Sequence, residues 1–111
     1  CAATPDTRHI LNADRLALMR PDAMIINTAR GDVIDEKALI AALVDGRIGG
    51  AGLDVFQGEP LIDPALLAAP HTVFLPHMGS TTREARTAMG MKAVDNLVAF
   101  FAGKPVLDPA P

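Results

Sequence analysis

Three short apolar runs, separated by segments with helical periodicity, constrain the fold of this chain more than any other feature. Residues 23–28, 48–55 and 72–75 are rich in Ala, Ile, Leu and Val, the composition of strands buried on both faces of a sheet. The pattern predicts two helices, a strand, a helix, a strand, a short helix, a strand and a long helix. Because the strands alternate with helices, we expect a parallel sheet with helical crossovers.

Capping residues set the expected bounds of the helices. Thr4 followed by Pro5 starts a first helix that should reach about Leu11, and Asn12 caps a second. Ser80 and Thr81 are good N-cap types ahead of the long helix. The remaining predicted helices run from Asp35 to Gly46, from 64 to 68 and from roughly 82 to 102. The long helix should bury one face, made of Ala85, Met89, Ala93, Leu97 and Phe101.

Charge and composition exclude several classes of function. Ten Lys and Arg against thirteen Asp and Glu give 10 − 13 = −3, with no basic run and no Trp or Tyr, so a nucleic-acid surface is not expected. No apolar run reaches membrane-spanning length. The single cysteine, Cys1, excludes an internal disulfide and a cysteine zinc cluster, which fits a reducing cytosol. We therefore expect a cytoplasmic protein with no metal site and no nucleic-acid or membrane partner.

Polar side chains follow each of the three predicted strands. Arg30 follows the first, Glu59 comes shortly after Asp54 at the end of the second, and His77 follows the third. In a parallel sheet these three ends lie at one edge, where ligands bind. An arginine can hold a carboxylate bidentately, and a histidine can exchange a proton near neutral pH. A neighbouring glutamate would orient the ring and favour the imidazolium, a set that suits reduction of a 2-keto acid.

Each of these residues also has a simpler interpretation. Arg30 and Glu59 taken singly fit exposed loop residues, and Asp54 fits a turn or helix cap. His9 and His71 receive no role. The adjacent Glu36 and Lys37, like Asp14 and Arg15, are interpreted as solvated helix faces.

Three motifs in order resemble the D-isomer-specific 2-hydroxyacid dehydrogenases, most closely the glyoxylate/hydroxypyruvate reductase branch. They are INTARG at 26–31, GLDVF with GEP at 52–60, and LPHMGS at 75–80. TPDTRH at 4–9 and LALMRP at 16–21 resemble the family as well. The resemblance covers essentially the whole chain but only the C-terminal third of a family member. It implies the second half of a Rossmann-type parallel-sheet nucleotide-binding domain with flanking helices.

The resemblance implies a role for each matching residue. Arg30 matches the catalytic arginine that binds substrate, Glu59 the glutamate paired with the histidine, and His77 the histidine that exchanges a proton with substrate. The family binds NAD or NADP and is usually dimeric, so a homodimer acting on a small 2-keto or 2-hydroxy acid is expected. The positions that match the cofactor site are Cys1, Thr28, Ala29, Arg30, Asp54, His77 and Gly79.

The chain departs from the family pattern in two places. Ala2 stands where the family usually has proline, so the loop there is expected to be looser. The Gly-x-Gly-x-x-Gly turn is absent, since Gly49-Gly50-Ala51-Gly52 lacks the third glycine and leads into a strand. We therefore expect residues 1–102 to be the C-terminal part of an NAD(P)-binding domain, and residues 103–111 to lead back to a substrate domain.

Three alternatives remain open from the sequence. The first is phosphoglycerate dehydrogenase or another D-2-hydroxyacid dehydrogenase, although not a formate dehydrogenase, which has Gln where Glu59 stands. The second is a non-catalytic dinucleotide sensor, similar to transcriptional corepressors built on the same fold. The third is an inactive fragment, which the start at Cys1 and the small number of strands also suggest.

Overall fold

A computed structural model describes residues 1–109 of the chain. The chain divides into two compact units, Cys1–Gly79 and Ser80–Pro111. The first unit contains a sheet of three parallel strands in the order β1-β2-β3: β1 is Met24–Asn27, β2 is Gly50–Leu53 and β3 is Thr72–Phe74. Ile25 pairs with Ala51, which in turn pairs with Thr72. The predicted parallel sheet is thus confirmed.

Short helical segments precede β1 and connect the strands of the first unit. They are a 3-10 turn at Pro5–Thr7, α1 at Ala13–Ala17, a 3-10 turn at Gly31–Val33, α2 at Glu36–Val44 and α3 at Pro64–Leu67. The predicted caps Asn12 and Asp35 accept hydrogen bonds from the backbone amides of Arg15 and Ala38. Gly46 follows α2 with a φ of 65°, the left-handed conformation that glycine adopts readily.

The first predicted helix is shorter than expected. It ends at Thr7 instead of Leu11, because the backbone of His9 turns to a φ of 50° and its amide donates to the Asp32 carbonyl. Leu11 then forms an isolated parallel bridge with Ile34. Long-range backbone pairing with the segment before α2 has replaced the local helical bonds.

The core lies on one face of the sheet. Leu39, Leu43 and Leu66 are the largest fully buried side chains, and α2 and α3 supply them. They pack with Ile25 and Leu53 from the strands. Burial of such side chains from water is the main force that holds the helices on the sheet.

All three strands were predicted to be buried on both faces; this is wrong for β1 and β3, whereas β2 is buried at three of its four residues. Met24 and Ile26 in β1 are 70% and 72% exposed, while Ile25 and Asn27 are buried. Val73 in β3 is 66% exposed. Side chains alternate between the two faces of a strand, and the helices of residues 1–79 cover only one face.

The second unit is built on α4, Arg83–Phe101, whose N-cap is Thr82 and not Ser80 or Thr81. Residues 104–109 have no regular structure, but the side chain of Asn96 accepts the amides of Leu107 and Asp108. The five residues predicted to form a buried face are not buried; of the described residues in α4, only Ala99 is. The spacing of apolar residues every four positions correctly predicted the helix, but it did not predict whether its apolar face is buried.

None of the helices within residues 1–109 has the length and the hydropathy needed to span a membrane.

Gly31 permits a close backbone approach that no other residue would allow. A Cβ atom there would lie 2.1 Å from the carbonyl carbon and oxygen of Phe56. We expect Gly31→Ala to destabilise the chain by about 3 kcal/mol, because backbone atoms cannot move aside cheaply. Urea unfolding measures the effect.

The matched control is Gly90→Ala in α4, where nothing lies within 4 Å of the added methyl group. The same substitution should stabilise the chain there by about 0.5–1 kcal/mol, since alanine loses less backbone entropy in a helix. Equal effects at the two positions would contradict the close approach at Gly31.

Candidate active site

The carboxyl ends of the three strands meet at one edge and form an open cleft of about 290 Å³. Arg30 reaches it from the segment after β1, Glu59 from the loop after β2 and His77 from the segment after β3. The structure therefore brings together the three residues predicted to be catalytic. The other residues that line the cleft are Ala3, Gly31, Asp32, Phe56 and Gly58.

A hydrogen bond joins His77 and Glu59. The distance from His77 Nδ1 to Glu59 Oε2 is 2.8 Å, and the side chains are 45% and 34% exposed. The other carboxylate oxygen of Glu59 accepts the Phe56 amide at 2.8 Å. With Nδ1 engaged by the carboxylate, Nε2 is the ring nitrogen left to exchange a proton with a substrate.

These two hydrogen bonds lower the pKa of Glu59 below its ordinary value of 4.5. The bond from His77 contributes most, followed by the Phe56 amide; the charge of Arg30 adds a smaller effect in the same direction. Hydrogen bonds to a carboxylate favour its charged form. Glu59 is thus ionised at neutral pH.

Arg30 is held through its backbone, and its side chain is exposed. Asn27, which is 6% exposed, donates to the Arg30 carbonyl at 2.9 Å and accepts the Ala29 amide at 3.0 Å. The exposed guanidinium donates to the Ala29 carbonyl at 2.6 Å. Asn27 was not predicted to be a functional residue. The sequence feature that could have identified it is a single amide side chain within an apolar strand, three residues before Arg30.

Asp54 fixes the segment that follows His77. Its side chain is 4% exposed, and its two oxygens accept the amides of Met78 at 2.6 Å and Gly79 at 2.8 Å. The backbone of His77 itself has a φ of 54°, a conformation uncommon outside glycine. A buried carboxylate that accepts two backbone amides keeps this turn in place.

Of the other predicted cofactor residues, Thr28, Ala29, Asp54 and Gly79 follow the carboxyl ends of the strands. Thr28 and Asp54 line a second, apolar depression of about 410 Å³ on the exposed face of the sheet. Ala29 adjoins Arg30, and a Cβ on Gly79 would lie 3.4 Å from Asp54. Cys1 is exposed and lines neither the cleft nor the apolar depression. The roles of all these residues toward a cofactor stay predictions.

Glu36 was predicted to lie on a solvated helix face, and that prediction is wrong. It is 9% exposed, and its Oε2 accepts the Gln57 amide at 3.1 Å. Burial raises the pKa of Glu36, the Gln57 hydrogen bond partly offsets this, and the charge of Asp63 adds to it. Its neighbour Lys37 is exposed as expected.

No group of three or more His, Cys, Asp or Glu side chains within residues 1–109 is arranged to hold a metal ion.

The pairing of Glu59 with His77 predicts a specific titration. Replacing His77 by Ala should move the pKa of Glu59 upward, but not fully to 4.5, because the Phe56 amide still favours the carboxylate. Carbon-13 NMR of the side-chain carboxyl group measures this midpoint. Since folding lowers this pKa, the contribution of Glu59 to stability is complete above the pKa of the unfolded chain and is lost as pH falls through the folded-state value.

Asp108 provides an internal control in the same titration. Its pKa is lowered by hydrogen bonds from Lys92 and Asn96 in the second unit, so it should not respond to the substitution. A Glu59 midpoint identical in the two proteins would show that the hydrogen bond is absent in solution.

A profile of the family described as "D-isomer specific 2-hydroxyacid dehydrogenase, NAD binding domain" matches residues 1–79. The chain is 54% identical over 102 residues to glyoxylate/hydroxypyruvate reductase B of Enterobacter agglomerans, covering 91% of this chain and 32% of that protein. It is 47% identical over 109 residues to hydroxyphenylpyruvate reductase of Plectranthus scutellarioides, covering 98% and 35%.

A solved structure agrees with these sequence matches. The NADPH-dependent glyoxylate/hydroxypyruvate reductase of Sinorhizobium meliloti, in complex with NADP and malonate, superposes with a TM-score of 0.89 at 44% identity over 96% of this chain and 34% of that one. This similarity confirms the expected fold class. The chain spans about a third of the length of the relatives it matches. It belongs to the D-isomer-specific 2-hydroxyacid dehydrogenase family of oxidoreductases.

Proposed function

We propose that this chain is the C-terminal part of an NAD(P)-dependent reductase that converts a small 2-keto acid to a D-2-hydroxy acid. Residues 1–102 would complete a nucleotide-binding domain, and residues 103–111 would lead back to a substrate domain; Ala110 and Pro111 lie outside the described residues. The observation that carries the proposal is the convergence of Arg30, Glu59 and His77 on one cleft.

The reaction assigns a separate task to each of the three side chains. The exposed guanidinium of Arg30 leaves the Ala29 carbonyl and binds both carboxylate oxygens of the substrate, which fixes the orientation of the keto group. His77 gives the proton on Nε2 to the carbonyl oxygen as the alcohol forms. Glu59 remains ionised and accepts a hydrogen bond from the protonated Nδ1, which holds the ring in the orientation needed for that transfer.

The nicotinamide cofactor, when bound, supplies the hydride that reaches the carbonyl carbon. The chemistry of Asp54 fits a carboxamide group, because each carboxylate oxygen keeps an accepting lone pair besides the one used by a backbone amide. Cys1, Thr28, Ala29 and Gly79 are the other positions we assign to the cofactor. The reductase of S. meliloti is NADPH-dependent, and we leave both NAD and NADP as candidates for this protein.

Glyoxylate and hydroxypyruvate are the substrates we favour. The support is the 54% identity to a glyoxylate/hydroxypyruvate reductase. Relatives named hydroxyphenylpyruvate reductase and 2-ketogluconate reductase, at 47% and 48% identity, make a panel of 2-keto acids the right assay. A cytoplasmic homodimer is the state we propose for the full-length enzyme.

His77→Ala in the full-length enzyme tests this proposal. We expect kcat for glyoxylate or hydroxypyruvate to fall by about 10²–10⁴-fold, the usual contribution of a positioned general acid. Arg30→Gln should instead act mainly on KM for the keto acid, because it removes the carboxylate clamp. Turnover is followed by the absorbance of NADH and NADPH.

The control is Glu84→Gln, an exposed position in the first turn of α4, which should leave turnover unchanged. Full activity in the His77 variant would overturn the assignment of the proton donor. A wild-type enzyme that binds dinucleotide but turns over no keto acid in the panel would point instead to a dinucleotide sensor.

A further inference from the structure

Three buried polar or charged side chains occur among residues 1–109: Asn27, Glu36 and Asp54. Two of them have a clear relation to the cleft. Asn27 binds the carbonyl of Arg30, and Asp54 binds the amides that follow His77. Burying a polar group is unfavourable unless it forms hydrogen bonds, so these contacts set where each buried group lies. Glu36, the third, binds the backbone of the loop between Phe56 and Glu59.

We propose that Glu36 is a positioning residue for the Glu59–His77 pair: its carboxylate anchors the backbone of the 56–59 loop and thereby aims Glu59 at the imidazole. The contacts that anchor the loop are present in the structure whatever reaction the protein catalyses. Their consequence for turnover rests on the proposed function.

The first step is the anchor itself. Glu36 occupies the first position of α2, directly after the N-cap Asp35, and its side chain points into the protein with only 9% exposure. Its Oε2 accepts the Gln57 amide across a sequence separation of 21 residues. A charged acceptor makes a hydrogen bond roughly twice as strong as a neutral one.

The side chain of Gln57 anchors the same loop through two further contacts. Its Nε2 donates to the Ile34 carbonyl at 3.0 Å and lies 2.7 Å from His9 Nε2. An amide nitrogen carries two protons, so it can serve both partners when the ring nitrogen of His9 accepts. Main chain and side chain of Gln57 are therefore both fixed to the segments around Ile34 and Glu36.

The second step leads from the anchor to the site. Phe56, directly before Gln57, is 7% exposed and packs on Phe74 with ring centroids 5.9 Å apart. Its amide donates to Glu59 Oε1, which leaves Oε2 for His77. Phe56 is fixed by the packing of its ring, and Gln57 is fixed by its hydrogen bonds. The Phe56 amide therefore has a defined position, and it orients the carboxylate of Glu59.

Glu36→Met and Glu36→Gln form a matched pair in the full-length enzyme. Both side chains are close in size to glutamate, but only Gln keeps an oxygen that can accept the Gln57 amide. Met adds no polar group of its own and leaves only the Gln57 amide without its acceptor, so the variant should remain folded. Lys37→Gln, on the exposed neighbour, controls for a change of charge at this helix turn.

Two measurements read out position, independently of turnover. In Glu36→Met the amides of residues 56–59 should exchange with deuterium faster, and the lowered pKa of Glu59 should move up toward 4.5 as its hydrogen bonds weaken. In Glu36→Gln and Lys37→Gln both should stay near the wild-type values. A folded Glu36→Met protein with wild-type exchange and an unchanged Glu59 midpoint would overturn the proposal.

The kinetic arm separates positioning from substrate binding. We expect Glu36→Met to lower kcat on the order of tenfold to a hundredfold, because small displacements of a catalytic group have effects of that size. KM for the keto acid should change little, since Arg30 is held by Asn27. Glu36→Gln should recover kcat to within about threefold of wild type.

The two proposals can fail separately. Glu36→Gln as impaired as Glu36→Met would overturn the role of the acceptor oxygen. A wild-type enzyme with no activity on any keto acid would refute the proposed function, while exchange and the Glu59 titration would still decide the role of Glu36.

Discussion

Parallel pairing of three strands is the constraint on which the rest of this structure depends. The register that joins Ile25 to Ala51 and Ala51 to Thr72 makes all three strands end at one edge. Residues more than forty positions apart in the chain, Arg30 and His77, therefore line a single cleft. An antiparallel arrangement would send the carboxyl end of β2, and Glu59 with it, to the opposite edge of the sheet, away from Arg30 and His77.

Within that frame, polar side chains in the interior determine the shape of the loops. The apolar core fixes where the strands and helices lie, but it has no directional contacts that could set the conformation of a backbone segment. Asn27, Glu36 and Asp54 supply those contacts, one for each segment that follows a strand. Precision at the cleft thus comes from hydrogen bonds beneath it, while stability comes from burial of apolar surface.

The sequence predicted the order of elements, the parallel sheet and the edge where Arg30, Glu59 and His77 meet, because these follow from local periodicity and from chain connectivity. It did not predict that Glu36 is buried, since an acid beside Lys37 at a helix start matches a solvated face in every local respect. Its burial depends on Gln57, 21 residues away. The exposure of Met24 and Ile26 was missed for a related reason, because apolar side chains on a strand do not reveal what covers them.

The carboxylate of Glu59 is oriented by the Phe56 amide, a contact made within the chain itself. Such preorganisation means that the cost of ordering the group is met during folding and not in each turnover. It also limits how the site can be transplanted in enzyme design. Grafting Arg30, Glu59 and His77 alone onto another parallel sheet would reproduce the chemical groups but not their orientations. Under the proposed function, a working graft must also carry Asn27, Glu36 and Asp54 together with the backbone segments that they bind.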